Sequence, residues 1–368
     1  MPGYEVFVIR PSSYISGLCY SVLRLEPYSA CSFGCIYCYA RWYRRRSPGL
    51  LVRESLKLWP RVARAASGMY PRPFFRLATL SDPLQHAERG AAASLYMLSV
   101  ASRMGVPIIL NTKSTMLVED PWVSVVKDMA SRGLLLVQVS VSVTDKYSAV
   151  LEPGAPPTSS RLQAIERLAG LGVPVVARIQ PLIPGLEEEH LAVAEDALAA
   201  GASGLIGESL RATSEDLQRI SRITPLETAE ELWEPYQLHA APGRQGLLHP
   251  ARRWRLAIHE ELGALARSYG AAYTACKEGL PPPPGTDCCQ ASIHLSTPVM
   301  LRPTLYELVS TGASTPEEVC RRLGGQYVCS YTLRGVFRRW LRLHEARLRR
   351  LAASRQHVEA LLLREGWV

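Results

Sequence analysis

The residues with the clearest chemical meaning are three cysteines that crowd into one short stretch. Cys31, Cys35 and Cys38 have C-x3-C-x2-C spacing and follow an apolar, strand-like run from Tyr20 to Leu25. A loop this short can direct three thiolates at one metal centre, but it offers no fourth. Thiolates are the usual ligands of iron–sulfur clusters, and a complete [4Fe–4S] site normally takes four. The spacing therefore predicts a [4Fe–4S] cluster with one iron open to another ligand.

Two other interpretations of these cysteines are open. They could belong to a zinc site, or they could be unligated core residues. Structural zinc sites usually combine a C-x2-C pair with a second pair or with nearby histidines. Here no second pair follows closely, and the next histidine downstream is His86. The spacing favours the iron–sulfur interpretation.

The elements that must position these thiols alternate along the chain between apolar runs and helical patterns. Alternation of this kind builds a parallel sheet, and counting the strand before the cysteine loop gives six βα units. The predicted strands are Phe74–Leu80, Pro107–Asn111, Leu134–Val143, Val173–Gln180 and Ala202–Ile206. The predicted helices are Leu51–Ala66, Ala87–Met104, Pro121–Ser131, Ser160–Leu171 and Glu187–Ala200. Ligand sites in such sheets lie at the carboxyl ends of the strands.

Polar residues follow several of the predicted strands. Ser81 and Asp82 end one strand, Lys113 follows another, and Ser140 and Ser142 lie near the end of a third. Each of them alone is typical of a turn or a helix cap. Because they recur at successive strand ends after a three-cysteine loop, they predict one shared pocket.

The combination resembles the spore-photoproduct-lyase-related group of the radical S-adenosylmethionine (SAM) superfamily. The resemblance runs from about Tyr28 to Gly185, roughly half of the chain. It rests on Cys31–Cys38, Ser81-Asp82-Pro83 with Glu88, Thr112-Lys113-Ser114, Ser140-Val141-Ser142, Leu151-Glu152-Pro153 with Pro156 and Arg161-Leu162, and Pro181 with Pro184-Gly185. It implies an α/β fold, a partial (β/α)6 TIM-type barrel, here with a mainly helical C-terminal extension.

The resemblance also implies the cofactors and the residues that bind them. Cys31, Cys35 and Cys38 would hold a [4Fe–4S] cluster whose open iron chelates SAM. The other implied contacts are Tyr37 with the adenine, Ser81 and Asp82 with the amino end of SAM, Lys113 with its carboxylate, and Ser140 or Ser142 together with Arg161 on the ribose or carboxylate side.

The implied reaction is reductive cleavage of SAM. An external donor such as ferredoxin or flavodoxin supplies one electron, and the resulting 5′-deoxyadenosyl radical abstracts hydrogen from a substrate that the sequence does not identify. True photoproduct lyases of this group carry a cysteine immediately before the Ser-Asp pair, whereas this chain has Leu80. We therefore do not expect photoproduct lyase activity.

The composition of the chain indicates its expected location and its division into domains. The chain has 368 residues, 47% of them hydrophobic, and a formal net charge of +9. No apolar stretch of about 18 residues is present and no secretory signal is evident, so we expect no membrane span and a cytoplasmic location. A proline run at 281–284 suggests a division into a radical SAM core, residues 1–280, and a cysteine-containing linker with a basic helical region, residues 281–368.

The C-terminal region raises two further alternatives. Cys276, Cys288 and Cys289 could ligate a second iron–sulfur cluster, or they could be small buried hydrophobic residues. Two short predicted helices, Thr304–Ser310 and Pro316–Leu323, precede an arginine-rich helical segment from 334 to 364. That segment could contact nucleic acid or form a solvated basic face. The rival to an enzyme is thus a non-catalytic metal-binding or nucleic-acid-binding protein with a structural cysteine site.

Overall fold

The computed structural model of the chain describes residues 3–43, 50–236 and 246–363. Its strands are β1 (Arg24–Leu25), β2 (Phe75–Leu77), β3 (Ile108–Thr112), β4 (Leu135–Ser140), β5 (Val175–Leu182), β6 (Gly204–Ser209), β7 (Ala212–Thr213), β8 (Trp233–Pro235), β9 (Leu247–Pro250) and β10 (Ala272–Ala275). Its α-helices are α1 (Ser13–Leu18), α2 (Arg53–Ser67), α3 (Glu88–Ala91), α4 (Ala93–Met104), α5 (Trp122–Ser131), α6 (Asp145–Leu151), α7 (Thr158–Gly170), α8 (Glu187–Ala199), α9 (Ser214–Ser221), α10 (Arg252–Ser268), α11 (Ala291–His294), α12 (Leu305–Thr311), α13 (Pro316–Leu323), α14 (Gly335–Ala352) and α15 (Arg355–Leu361). Short 3-10 helices occupy Tyr4–Phe7, Tyr39–Tyr43, Met116–Val118, Glu230–Leu232 and Ser330–Thr332.

Seven strands form one sheet in the order β1-β2-β3-β4-β5-β6-β10, and every neighbouring pair is parallel. The central strands are buried on both faces, as the near-continuous apolar run of β4 illustrates. Helices cover a sheet of this kind, which explains why its strands lack alternation. The predicted α/β class and its parallel sheet of six βα units are confirmed, and the sheet gains a seventh strand.

The charged sequence of residues from about 208 to 270 predicts a mostly helical region with a basic segment, Arg244–Arg255. The seventh strand, β10, lies just beyond this region. Its four residues pair with β6, with Ala272 opposite Gly204 and Ala275 opposite Gly207. The predicted helical region, about 208–270, also contains a small antiparallel sheet in the order β7-β9-β8. These strands are too short for their periodicity to identify them, because pairing rather than sequence pattern defines them. Arg244, at the start of the predicted basic segment Arg244–Arg255, lies outside the described residues.

The helix predicted over Ala87–Met104 is two helices, α3 and α4. They are separated by Ala92, whose φ of 47° lies in the left-handed region. The second helix ends at Gly105, as predicted, with a φ of 65° that a residue without a Cβ adopts at little cost. Helix α4 packs against α2 and α5, and its Met97 lies in the same hydrophobic core as Phe75 of β2 and Ile108 of β3.

The C-terminal region packs against the start of the chain. Trp340 of α14 lies in the same hydrophobic core as β2, and the His344 imidazole joins Ser16 Oγ at 3.0 Å and the Ile9 carbonyl at 2.8 Å. Arg302 donates to the Cys19 carbonyl at 2.6 Å. The division at residue 280 stays a prediction, but residues on both of its sides share one core.

Other C-terminal features can be compared with the sequence. The two short predicted helices are present as α12 and α13, and the Thr315 side chain caps α13 by accepting from the Glu318 amide. The sequence predicts reduced thiols, because the cysteines number nine and three of them crowd into eight residues, but Cys320 and Cys329 form a disulfide. Arg364, the last residue of the predicted basic segment, lies outside the described residues. Among the helices that the model describes, none is long and apolar enough to cross a bilayer.

Candidate active site

A cavity opens at the carboxyl ends of the parallel strands, and most of the predicted site residues line it. All three loop cysteines line it, and so do the last residue of β4 and residues that follow β2, β3, β6 and β10. The predicted residues in its wall are Cys31, Cys35, Tyr37, Cys38, Ser81, Asp82, Lys113, Ser140 and Cys276. The shared pocket that the strand-end pattern predicts is therefore present.

The cysteine loop is anchored to the segment that follows α6. The Ile36 amide donates to the Leu151 carbonyl at 3.0 Å, and the Gly154 amide donates to the Phe33 carbonyl at 2.9 Å. Gly154 lies so close to the loop that a Cβ built there would come within 2.9 Å of the Phe33 carbonyl oxygen. On the other side, the Ser32 amide donates to the Gln85 side chain at 3.0 Å. Backbone contacts of this kind fix the position of the thiols without using their side chains.

The carboxylate of Glu152 is the centre of the polar network beside this loop. It accepts a hydrogen bond from the Tyr37 hydroxyl. Its two oxygens also form ion pairs, with Lys113 Nζ at 2.9 Å and with Arg161 Nη2 at 2.5 Å. One buried carboxylate thus connects the aromatic residue of the cysteine loop, the end of β3 and helix α7.

The ionisation state of Glu152 follows from these partners. Burial by itself would raise the pKa of Glu152, but Lys113, Arg161 and the hydrogen bond from Tyr37 lower it to about 2. The carboxylate is therefore charged at neutral pH. It holds the Lys113 ammonium 5.7 Å from the centre of the Tyr37 ring.

Ser81 and Asp82 are held by bonds between neighbouring strands. Asp82 accepts from the Lys113 amide at 2.7 Å and from Thr112 Oγ1 at 2.8 Å, which ties the end of β2 to the end of β3. Ser81 Oγ lies 3.3 Å from Glu26 and 3.2 Å from the Tyr28 carbonyl. Burial raises the pKa of Asp82, against the effect of its hydrogen bonds.

Ser142 and Arg161 are the two predicted cofactor ligands that do not line the cavity. The Ser142 hydroxyl is buried and donates to the Pro181 carbonyl at 2.5 Å. Arg161 is fully buried, and it donates to the Ser140 carbonyl at 2.8 Å besides pairing with Glu152. Both lie behind the wall because backbone carbonyls and a carboxylate already satisfy their polar groups. Of the two predicted serines, Ser140 alone reaches the cavity wall.

Five charged residues of the described cavity wall received no role from the sequence: Arg76 of β2 and a group of four around Glu208. Glu208 lies at the centre of this group, and Arg178, Arg211 and Lys277 each form an ion pair with it. One signal was available, because Arg178 is a charged residue inside the apolar run Val173–Gln180. Glu152 likewise stood in one of the quoted phrases without a role. Ion pairing between separate strands cannot be read from a single chain segment, so the sequence did not reveal the group.

The cysteines predicted for a second cluster are all buried. Cys276, Cys288 and Cys289 lie in one hydrophobic core with Tyr306 and Leu301. Within the described ranges, no three His, Cys, Asp or Glu side chains are arranged to hold a single metal ion, and this applies to the three loop cysteines as well as to Cys276, Cys288 and Cys289. The second cluster stays a prediction.

Comparison with known proteins gives the family of this fold and site. Residues 25–197 match the model of the Radical SAM superfamily. The chain carries a radical SAM domain. The matched residues include the cysteine loop, β1 to β5 and the Glu152 network, so the predicted superfamily is confirmed.

Individual proteins and solved structures are also similar to this chain. Uncharacterized proteins of Mycobacterium bovis and Mycobacterium tuberculosis are 29% identical over 190 residues, 48% of this chain and 55% of theirs. The radical SAM chain thus spans about half the length of these curated relatives. A structure of spore photoproduct lyase complexed with dinucleoside spore photoproduct superposes with a TM-score of 0.55 at 14% identity, covering 69% of this chain and 76% of that one. A mutant of that lyase with bound AdoMet gives 0.53 at 14% identity with the same coverage. At this identity the likeness is one of fold, and it supports the predicted partial barrel.

Proposed function

We propose that this chain is a radical SAM enzyme that cleaves SAM reductively and acts on a substrate bound in the same cavity. One observation carries the proposal: three thiols of one short loop line a single cavity at the carboxyl ends of a parallel sheet, within a radical SAM domain. Tyr37 and Lys113 line the same cavity.

The residues present fit a [4Fe–4S] cluster. Cys31, Cys35 and Cys38 are soft donors, and no histidine or carboxylate stands between them in the loop. When bound, the reduced cluster supplies the electron that breaks the S–C5′ bond of SAM, which gives methionine and a 5′-deoxyadenosyl radical. The electron donor would be a partner such as ferredoxin or flavodoxin.

In this proposal the protein's own residues bind SAM and orient it. In this proposal Tyr37 contacts the adenine, Lys113 contacts the SAM carboxylate, and Ser81, Asp82 and Ser140 line the remaining wall. Glu152 shares Lys113 with the ligand and holds it in place. Ser142 and Arg161 act as positioning residues, because their side chains fix the backbone behind the wall.

The residue at position 80, a leucine, indicates which reaction this cavity does not support. Its side chain lines the cavity at the position where photoproduct lyases of the resembling group carry a cysteine. An aliphatic side chain offers no thiol hydrogen to return to a product radical. Tyr96 is no replacement, since it is exposed on α4 and is absent from the cavity wall. The proposed reaction is therefore a different one from photoproduct repair.

The test is cleavage of SAM by the anaerobically purified, reconstituted protein. With dithionite, we expect a brown sample that forms 5′-deoxyadenosine from SAM. A Cys31→Ala/Cys35→Ala/Cys38→Ala variant should lose both iron and product. The matched control is Cys320→Ser/Cys329→Ser, which removes two cysteines far along the chain and should retain both. A colourless, zinc-loaded wild type without product would contradict the proposal.

The same preparation tests the second cluster. Iron analysis distinguishes about four irons per chain from about eight, the numbers for one and two [4Fe–4S] clusters. If Cys276, Cys288 and Cys289 ligate a cluster, a Cys288→Ala/Cys289→Ala variant loses about half of the iron. Four irons per chain, unchanged in that variant, would end this idea.

Nucleic-acid binding is a second candidate function, and one observation favours it. Helix α14 exposes several arginines, among them Arg338, Arg339, Arg342 and Arg350. Binding through them should weaken steeply with salt, because cationic side chains displace condensed counterions from phosphates. Replacing Arg338 and Arg342 by Gln should flatten the slope of log K against log salt by about two. Absence of binding to duplex DNA or tRNA at low salt would exclude this function.

A further inference from the structure

A cluster of cations forms one side of the cavity and has too little negative charge to balance it. Arg178 of β5, Arg211 after β6 and Lys277 after β10 all line the cavity, and all pair with Glu208. The distances to the Glu208 oxygens are 2.5 Å from Arg211 Nη2, 2.8 Å from Lys277 Nζ and 3.5 Å from Arg178 Nη2. Three cations around one carboxylate leave a surplus of two positive charges.

The other carboxylates near the cavity do not remove this surplus. Asp82 is the one further acidic residue in the described wall, and its oxygens accept from the Lys113 amide and Thr112. Glu278, next to Lys277, does not line the described cavity, although its charge also acts on Arg211 from behind the wall. It pairs with Arg255 at 3.4 Å and accepts from the Ser209 amide at 2.8 Å. Cations in the wall thus outnumber the acids that could neutralise them.

The cations are shielded from bulk water and held in fixed positions. The side chains of Arg178, Arg211 and Lys277 are each 11% exposed. The Arg211 guanidinium lies 5.5 Å from the Tyr14 ring centre and 5.4 Å from that of Tyr236. Unpaired charge is costly to bury in protein, and a ligand of opposite charge offsets that cost. A preorganised, partly desolvated cationic group is how proteins bind carboxylates and phosphates.

The three cations Arg178, Arg211 and Lys277 lie at a distance from Lys113 across the sheet. Lys113 follows β3, whereas the cations belong to β5, β6 and β10, and β4 separates β3 from β5. Neighbouring strands are about 4.8 Å apart, so the two sites are separated by roughly 10 Å or more. A SAM carboxylate at Lys113 would leave the cations available to another anion.

We propose that Arg178, Arg211 and Lys277 bind an anionic group, a carboxylate or a phosphate, of the substrate. That this anion belongs to the substrate rests on the proposed radical SAM function. That the three side chains bind an anion does not depend on it. The excess of cations over carboxylates in the described wall and the fixed geometry together define the substrate class. It is a molecule that presents an anion to the ends of β5, β6 and β10 while its reacting carbon lies towards the cysteine loop.

Isothermal titration of the reconstituted protein, once without SAM and once with saturating SAM, tests this site at constant ionic strength. The probes are inorganic phosphate and acetate, whose relative affinities distinguish a phosphate from a carboxylate site. We expect one anion per chain, with binding at least tenfold weaker in Arg211→Gln and Lys277→Gln. Lys277→Arg keeps the charge and should bind within about threefold of wild type. Arg64→Gln, which removes an exposed arginine of α2, is the control for net charge and should leave binding unchanged.

Three outcomes would overturn the proposal. In the first, wild-type protein binds neither probe. In the second, wild type and both Gln variants bind the probes equally well. In the third, binding is present without SAM and disappears when SAM is saturating. The last outcome would assign the cations to the carboxylate of SAM. Formation of 5′-deoxyadenosine by the same wild-type sample is measured separately. If no 5′-deoxyadenosine forms, the proposed function is wrong. The titration alone decides whether the cations bind an anion.

Discussion

At the scale of single residues, the charge on one buried carboxylate organises the wall beside the cysteine loop. Glu152 contacts Tyr37, Lys113 and Arg161, which come from three separate parts of the chain. Its side chain is 1% exposed, so water cannot take the place of a lost partner. Removing one member of a buried ion pair leaves the other charge buried without a counter-charge, which typically lowers the free energy of unfolding by about 3–5 kcal/mol.

Replacing Glu152 by Gln should therefore lower the free energy of unfolding by about 3–5 kcal/mol, since Lys113 and Arg161 lose their counter-charge. Chemical denaturation measures the change. The matched control is Glu119→Gln, which breaks an exposed pair with Arg89 and should leave stability unchanged within error. A Glu152→Gln variant as stable as wild type would mean that the network carries little stability.

At the scale of elements, the cysteine loop and the segment after α6 behave as one unit. Backbone hydrogen bonds join them, and Gly154 permits their close approach. Helix α14 plays a similar part elsewhere, because its apolar face completes the core next to the first residues of the chain. Trp340 is 3% exposed, with ring centres 6.5 Å from Phe7 and 5.1 Å from Phe337.

A Gly154→Ala substitution should displace the cysteine loop, because the added Cβ would lie within 2.9 Å of two backbone atoms of Phe33. We expect iron content after reconstitution to fall at least twofold, measured per chain. Gly170→Ala is the control, since a Cβ at that helical position meets nothing within 4 Å. Full iron content in Gly154→Ala would show that the loop can move without losing its ligands.

A Trp340→Ala substitution should cost about 3–5 kcal/mol of unfolding free energy, as is typical of large-to-small changes in a core. Leu343→Ala, on the exposed side of the same helix, should change stability little. Because the core is shared, we expect one cooperative transition whose midpoint shifts as a whole. Two transitions, with only one of them shifted, would instead support an independent unit after residue 280.

At the scale of the whole molecule, acid should destabilise the fold through groups that bind protons less tightly when folded. The pKa of Glu152 is lowered to about 2, for the reasons given above. Burial, and then Arg302, lowers the pKa of His344 to about 3. Both groups contribute stability that is fully present above their unfolded pKa values, about 4.3 for Glu and 6.5 for His, and that is lost as the pH falls.

We therefore expect the free energy of unfolding to decrease below about pH 6.5 as His344, with His190 and His249, loses its contribution. The decrease should be steeper below about pH 4.5, where Glu152, with Glu208 and Glu234, loses its contribution. Denaturant titrations from pH 8 to pH 3 measure this curve. In Glu152→Gln the steeper part should flatten, while the decrease that begins near pH 6.5 should persist. A variant curve parallel to that of wild type over the whole range would contradict the assignment to Glu152.

The sequence by itself determined the parallel α/β fold, the superfamily and the cysteine loop. These follow from local signals: the spacing of Cys31, Cys35 and Cys38, apolar runs long enough to reveal strands, and polar residues at their ends. Local patterns are sufficient there because each element carries its own periodicity. Since parallel strands present their carboxyl ends on one edge, the shared pocket also followed.

Only the tertiary structure decided which residues face the cavity and which support it. Ser142 and Arg161 are behind the wall, although their positions in the sequence suggest contact with the cofactor. Arg178, Arg211 and Lys277 converge on Glu208 from three strands, and the four-residue β10 becomes part of the sheet by pairing with β6. The physical reason is the same in each case. Burial and pairing depend on contacts between segments far apart in the chain, and no single stretch of sequence records them.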